Sequence, residues 1–120
     1  MADVFLVAEA ASRQSAERTR VEGCGMQLLA ICRRRTEAFG PDAFDALLDA
    51  EAESVRKLYA GGFIRYAWSR EDMDGACLLL EAATLDDAHA QLRALPLVAQ
   101  DMLEVQLIPL RGYRGFGPRT

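Results

Sequence analysis

Four short breaks divide residues 26–110 into alternating strand-like and helix-like stretches. Glycine and proline interrupt regular structure at characteristic positions, so each stretch between two breaks is expected to form one element. The breaks are Gly40-Pro41, Gly61-Gly62, Asp74-Gly75 and Pro96. A further boundary lies at Thr84, which is predicted to cap the second helix. The predicted elements, in order, are strand 27–32, helix 41–60, strand 63–69, strand 76–81, helix 85–95 and strand 102–110.

The order βαββαβ predicts an α+β protein of the ferredoxin-like plan, with a four-stranded antiparallel sheet and both helices on one of its faces. The other face has no cover within the chain. It must expose apolar surface or pair with a second copy, and pairing would give a dimeric α+β barrel. The second alternative predicts a homodimer.

The segments outside residues 26–110 differ from this pattern. Residues 1–25 contain an apolar run at 4–8 and an Ala/Arg/Glu-rich stretch at 9–21, and the regular pattern begins at Met26. This N-terminal extension is either a translated leader or an arm that packs on a neighbouring subunit. The C-terminal tail, 111–120, is too rich in glycine for regular structure to be expected.

Charge and cysteine content exclude several classes of protein. The net charge is −4, and Lys57 is the only lysine, so we expect no nucleic-acid partner. The run Arg33-Arg34-Arg35 is interpreted as a solvated strand end. Cys24, Cys32 and Cys77 make an odd number without a C-x-x-C pair, so neither a disulfide framework nor a zinc site is predicted.

The same features bear on location and cofactors. Free cysteines favour a reducing cytoplasm. The apolar run at 4–8 is too short to span a membrane, and no basic residue precedes it, so neither a membrane segment nor a targeting signal is expected. No metal-binding or phosphate-binding motif appears, and no cofactor is predicted.

Glu51 interrupts the apolar stripe of the first predicted helix. It lies three residues after Leu48 and four before Val55, which places it along the middle of that stripe. A buried, unpaired carboxylate would have a raised pKa and could act as a general acid or base. The alternative is a structural salt bridge to an arginine. The stripe comprises Phe44, Leu47, Leu48, Val55, Leu58 and Tyr59.

Alternation along the strands supplies possible partners for Glu51. Arg65 is expected on the face opposite to Ile64, Tyr66 and Trp68. In the last strand Glu104 and Gln106 share the face opposite to Leu103, Val105 and Leu107. If the polar face lines a barrel, Arg65 and Glu104 are buried in it; if the face is open, they are solvated.

Aromatic residues and the single histidine leave two interpretations open. Tyr66 and Trp68 are either core residues or the wall of a pocket. His89 lies at the edge of the apolar side of the second predicted helix, where it is either a satisfied core-edge residue or an acid/base group.

Several motifs in register resemble the muconolactone delta-isomerase family. In that family a helix carrying E-x-E leads into G-x-x-R-x-x-W, and here the corresponding residues are Glu51, Glu53, Gly62, Arg65 and Trp68. The second half is similar to the family's L-H-x-x-L-x-x-L-P-L helix end and final E-V strand. The residues that carry this similarity are His89, Leu92, Leu95-Pro96-Leu97 and Glu104-Val105.

The resemblance implies a cofactor-free isomerase of bacterial aromatic catabolism, which moves the ring double bond of a small anionic lactone acid. It also implies a higher homo-oligomer as well as a homodimer. It further implies that Glu51 carries the proton and that Arg65 binds the substrate carboxylate or the developing enolate. His89 would be a second acid/base or orienting group. Trp68 and Glu104, together with Tyr66, would shape the substrate pocket.

Departures from the family pattern bear on the substrate. Ser69 stands where the family has a further basic residue, and Ile64 replaces an aromatic residue. Two hypotheses therefore stand: an isomerase, or a non-catalytic subunit that binds a small molecule or mediates assembly. Other dimeric-barrel enzymes, such as YCII-like proteins, cyclases and small monooxygenases, use the same scaffold.

Overall fold

A computed structural model describes residues 25–116 of the chain. The strand and helix expected within residues 1–25, together with Cys24, lie outside the described residues, as does the end of the C-terminal tail. The described elements are β1 (Met26–Arg34), α1 (Pro41–Asp45), α2 (Leu48–Ala60), β2 (Ile64–Ser69), β3 (Gly75–Ala82), α3 (Leu85–Leu92), α4 (Pro96–Ala99), β4 (Leu103–Leu110) and a 3-10 turn, Arg114–Phe116.

The four strands form one antiparallel sheet in the order β2-β3-β1-β4. β1 and β3 are the central strands, and they pair with each other over eight residue pairs. The predicted α+β class with a four-stranded antiparallel sheet is therefore confirmed. The strand positions match the sequence periodicity to within two residues at each end.

The helices pack against one face of this sheet and enclose a single hydrophobic core. Alternate strand residues point into that core, as the two-residue period requires. Those of β1 and β4 are Leu28, Ala30, Cys32, Leu103, Val105 and Leu107. The helices contribute the fully buried Phe44, Leu85, Ala88 and Leu92.

The opposite face of the sheet carries no helix within residues 25–116. We call it the open face. Its central rows follow the strand pairing across β2, β3, β1 and β4. They consist of Tyr66, Leu79, Leu29 and Ile108 in one row and Trp68, Cys77, Ile31 and Gln106 in the next.

The first predicted helix is two helices, so the prediction of a single helix is wrong. α1 ends at Asp45, residues 46 and 47 form a turn, and α2 begins at Leu48. The break lets Phe44 enter the core while Leu48 and Tyr59 stay at the surface, 40% and 62% exposed. These two residues therefore do not belong to a continuous buried stripe.

The second helical region agrees with the sequence at its start and differs at its end. The Thr84 hydroxyl accepts a hydrogen bond from the Asp87 backbone N–H at 2.9 Å, which confirms the predicted cap. Pro96 was expected to terminate the helix. Instead α3 ends at Leu92 and Pro96 opens α4, a position in which its missing N–H is not needed.

A β-bulge in β2 changes which residues share a face. Ile64 pairs with Leu80, whereas Tyr66 pairs with Leu79, so Arg65 is the extra residue of the bulge. Ile64 is consequently buried on the helix side, while Tyr66 and Trp68 lie on the open face. The expectation that Ile64 shares a face with these two aromatic residues is wrong for this reason.

The start of the tail contains one 3-10 turn, Arg114–Phe116, where no regular structure was expected. Among residues 25–116, no helix is both long enough and apolar enough to cross a lipid bilayer.

Candidate functional site

Glu51 lies at the contact between α2 and α4. Its Oε1 atom accepts a hydrogen bond from the backbone N–H of Leu97 at 3.0 Å. Because Leu97 is in the first turn of α4, this N–H has no partner within its own helix. The carboxylate of α2 thus accepts from an otherwise unpaired N–H at the start of α4, and this hydrogen bond holds the Glu51 side chain in position.

Burial raises the pKa of the Glu51 carboxyl above its ordinary value. The Leu97 N–H and the positive charge of Arg34 act in the opposite direction and only partly offset this effect. Among the described residues Glu51 takes part in no salt bridge. The Glu51 carboxyl therefore forms no salt bridge with an arginine of the described residues. Its hydrogen-bond partner is a backbone amide, and its pKa is raised.

Arg34 is the cation that reaches Glu51 electrostatically, and the sequence analysis missed it. It lies at the end of β1 on the helix side of the sheet, two residues after the buried Cys32. Its guanidinium lies over the ring of Phe44, 5.1 Å from the ring centroid. The signal was present in the alternation Leu28, Ala30, Cys32, which continues to Arg34 with the same period.

Two neighbouring cavities meet at Arg34. One, of about 330 Å³, lies between the end of β1, α1 and the β2–β3 connection. The other, of about 370 Å³, continues past Arg33 and Met73, and both share Arg34, Thr36 and Asp74. The first cavity is lined by Arg34, Thr36, Phe39, Pro41, Phe44, Asp45 and Asp74.

Cys32 lies next to this region but is not suited to nucleophilic chemistry. It is 1% exposed, and burial, followed by the influence of Cys77 and Glu51, raises the pKa of its thiol to about 12. The thiol therefore stays protonated at neutral pH, whereas the thiolate is the reactive form.

Arg65 is not brought to Glu51 within one protomer. Its side chain lies beside Gly62, and it lines a cavity of about 250 Å³ with Tyr59, Ala60 and Ile64, at the C-terminal end of α2. The rise from Glu51 to Ala60 along the helix is about 13 Å. Glu51, the predicted proton carrier, and Arg65, predicted to bind the substrate carboxylate, are therefore separated by most of the length of α2.

The aromatic residues and Glu104 lie on the open face. The rings of Tyr66 and Trp68 are in contact, with centroids 4.6 Å apart, and they are 55% and 48% exposed. Glu104 lies on β4, at the other edge of the sheet. Its Oε1 atom accepts a hydrogen bond from Arg33 Nε at 3.2 Å. Three interstrand spacings, about 14 Å, separate β2 from β4.

His89 lies on the inner side of α3, among the buried Leu85, Ala88 and Leu92. It is half-buried, and its Nε2 atom is inaccessible to solvent. This placement agrees with a core-edge position, and its catalytic role stays a prediction.

The six residues predicted from the sequence thus fall into three places. Glu51 and His89 belong to the helix layer, Arg65 to the bulge of β2 beside the C-terminal end of α2, and the other three to the open face. Among residues 25–116, no group of three or more His, Cys, Asp or Glu side chains is close enough together to hold a metal ion.

Comparison with protein-family models and with curated proteins gives no match for this chain.

The raised pKa of Glu51 predicts a pH-dependent contribution to stability. Above about pH 4.5, the ordinary pKa of the carboxyl, the unfolded chain loses this proton before the folded protein does. The free energy of unfolding therefore falls as pH rises towards the folded-state pKa. Glu51→Gln removes this term, so its free energy of unfolding relative to wild type should rise between pH 4 and the folded pKa and then level off. Urea unfolding of both proteins at several pH values measures this difference in the free energy of unfolding.

A second substitution separates the charge from the hydrogen bond. Gln can still accept from the Leu97 N–H, whereas Glu51→Ala leaves that donor unpaired and should be about 1 to 3 kcal/mol less stable than Glu51→Gln at every pH. A Glu51→Gln difference that is constant with pH, or that falls as pH rises, would contradict the raised pKa.

Proposed function

We propose that the protein is a cofactor-independent isomerase of the muconolactone delta-isomerase type. It acts on a small, anionic, unsaturated lactone acid and moves a proton and a double bond. The observation that carries this proposal is the half-buried Glu51 carboxyl, held by the Leu97 N–H and raised in pKa.

These properties suit a proton carrier. General acid/base catalysis is most efficient when the pKa of the group approaches the working pH, and a carboxyl shifted upward by burial moves in that direction. The bond to Leu97 uses one of the two carboxylate oxygens, which leaves the other to exchange a proton. A nearby cation, Arg34, stabilises negative charge that develops on a substrate during proton abstraction.

The structure also joins the two motifs on which the family resemblance depends. Glu51 begins the E-x-E motif of α2, and Leu97 ends the L-P-L motif before and within α4. They are 46 residues apart in sequence and share a hydrogen bond. This contact supports the view that the two motifs serve one site.

For the fold, we propose the ferredoxin-like plan and its dimeric α+β barrel. The strand order β2-β3-β1-β4 and the single layer of helices support the plan. The open face supports dimerisation, because its central rows of mostly apolar and aromatic side chains have no cover within residues 25–116. In such a dimer the second copy would cover Tyr66, Trp68 and Glu104, and these residues would line an enclosed space.

The reaction needs a small anionic organic substrate, and neither nucleic acid nor a membrane is part of the proposal. A cytoplasmic location is supported by the free thiols of Cys32 and Cys77. Within this proposal, aromatic catabolism is the metabolic setting that the family resemblance implies.

Hydrogen exchange on a muconolactone-type acid tests the role of Glu51. The wild-type protein should exchange the ring α-proton for deuterium in deuterated water, as measured by proton NMR. Glu51→Gln should slow this exchange on the order of 10²- to 10⁴-fold, because the positioned proton carrier is lost.

Glu53→Gln is the matched control. Glu53 lies on the same helix, pairs with Arg56 at 2.9 Å and is exposed. Its variant should exchange at the wild-type rate. A Glu51→Gln variant as fast as wild type, or wild-type protein without exchange above the solvent rate, would contradict the proposed function.

A second candidate function is assembly without catalysis, and the open face favours it. Trp68 offers a large exposed indole beside Tyr66, the type of aromatic pair found in protein interfaces. In this case the open face alone would carry the function, and Glu51 would serve only to hold α4.

Sedimentation of a surface variant tests the use of the open face. Trp68→Glu places a charge there and should convert a species of twice the 13.2 kDa chain mass, or larger, into monomer. Tyr59→Glu, at an exposed position on α2, should leave the assembly unchanged. Wild-type monomer at high protein concentration would exclude the assembly function and the barrel together.

A further inference from the structure

We propose that Arg34 binds the carboxylate of a small ring-containing monoanion in the cavity between β1, α1 and the β2–β3 connection, and that Asp45 and Asp74 select against dianions. The inference rests on the proposed function, because it assigns the binding end of the same site. It replaces Arg65 by Arg34 as the cation that holds the ligand within one protomer.

The charges around β1 distinguish Arg34 from its neighbours. Arg33 pairs with Glu37 at 3.0 Å and with Glu104 at 3.2 Å. Arg35 pairs with Asp101 at 3.0 Å. Among the ion pairs of residues 25–116 none includes Arg34, so its guanidinium donors are not used by a carboxylate of these residues.

The position of the Arg34 guanidinium is nevertheless defined. The guanidinium carbon lies over the ring of Phe44, 5.1 Å from the ring centroid, and Phe44 is buried. A guanidinium held beside an aromatic ring by this attraction can still donate two parallel hydrogen bonds to a carboxylate. Arg34 is thus oriented before any ligand arrives.

The rest of the cavity suits the apolar part of a small ligand. Its volume of about 330 Å³ lies at the lower end of the range for ligand sites. Phe39 and Phe44 meet edge to face at 6.3 Å and, with Pro41, form an apolar wall. A flat ring can pack against this wall while its carboxylate faces Arg34.

The two acidic residues set the charge of the ligand. Asp45 and Asp74 also line the cavity, so one cation faces two carboxylates. A second negative charge on the ligand would meet repulsion from them, whereas a hydroxyl or N–H group could donate to them. The site therefore favours a monocarboxylate over a dicarboxylate.

Arg34 also connects this cavity with the proton carrier. Its positive charge acts on the carboxyl of Glu51, so an anion bound at Arg34 enters the electrostatic environment of that group. Arg34 would be a binding and specificity residue, and the proton transfer would belong to Glu51.

NMR titration of the full chain with phenylacetate, a ring-containing monoanion, tests the inference. Wild-type protein should show saturable shifts centred on β1, α1 and residue 74. Arg34→Gln should weaken binding on the order of 10- to 100-fold, since it removes a charge-assisted pair of hydrogen bonds. Arg34→Lys should weaken it less, and Arg56→Gln, an exposed control on α2, should bind as wild type does.

Selectivity gives a measurement that does not depend on the stability of an Arg34 variant. Wild-type protein should bind phthalate, a dianion, more weakly than phenylacetate, and Asp74→Asn or Asp45→Asn should reduce this difference. Unchanged phenylacetate binding in Arg34→Gln, or absence of saturable binding to wild type at millimolar concentration, would overturn the inference. Phenylacetate binding without hydrogen exchange on lactone acids would overturn the proposed function and leave the anion site intact.

Discussion

The hydrogen bond from the Leu97 N–H to Glu51 is the interaction on which the organisation of the helix layer depends. It joins α2 to the start of α4 across 46 residues of sequence. A carboxylate in the apolar side of a helix is costly unless it finds a donor, and α4 supplies one. The carboxyl is half-buried where the two helices meet, and this burial is the main cause of its raised pKa.

The sheet separates two sets of chemically useful residues. On the helix side, the positive charge of Arg34 acts on the carboxyl of Glu51, and Arg34 lines a cavity with an aromatic wall. On the open face, Tyr66 and Trp68 form an exposed aromatic pair. The bulge at Arg65 produces this separation, because it shifts the alternation of β2 by one residue. The first set suits ligand chemistry, and the second suits contact with another molecule.

Much of the fold follows from local sequence signals, whereas parts of the site do not. The strand and helix order, the Thr84 cap and the inward position of Glu51 follow from breakers and periodicity. The bulge has no signature in the letters of β2, since it depends on how two strands align. Arg34 was overlooked because a basic run suggests solvent, although the alternation that buries Cys32 continues to it. The break between α1 and α2 has no such signal, because residues 46 and 47 are alanine and leucine, which favour helix.

The most direct test of this account is the titration of the Glu51 carboxyl itself, followed by carbon-13 NMR of its Cδ atom. We expect a midpoint above 4.5, the ordinary value, because burial dominates its environment. Glu53, two residues away on the same helix, provides an internal reference, since its pair with Arg56 lowers its pKa. A Glu51 midpoint at or below 4.5 would contradict the account, because the carboxyl would then be no better suited to proton transfer than a surface glutamate.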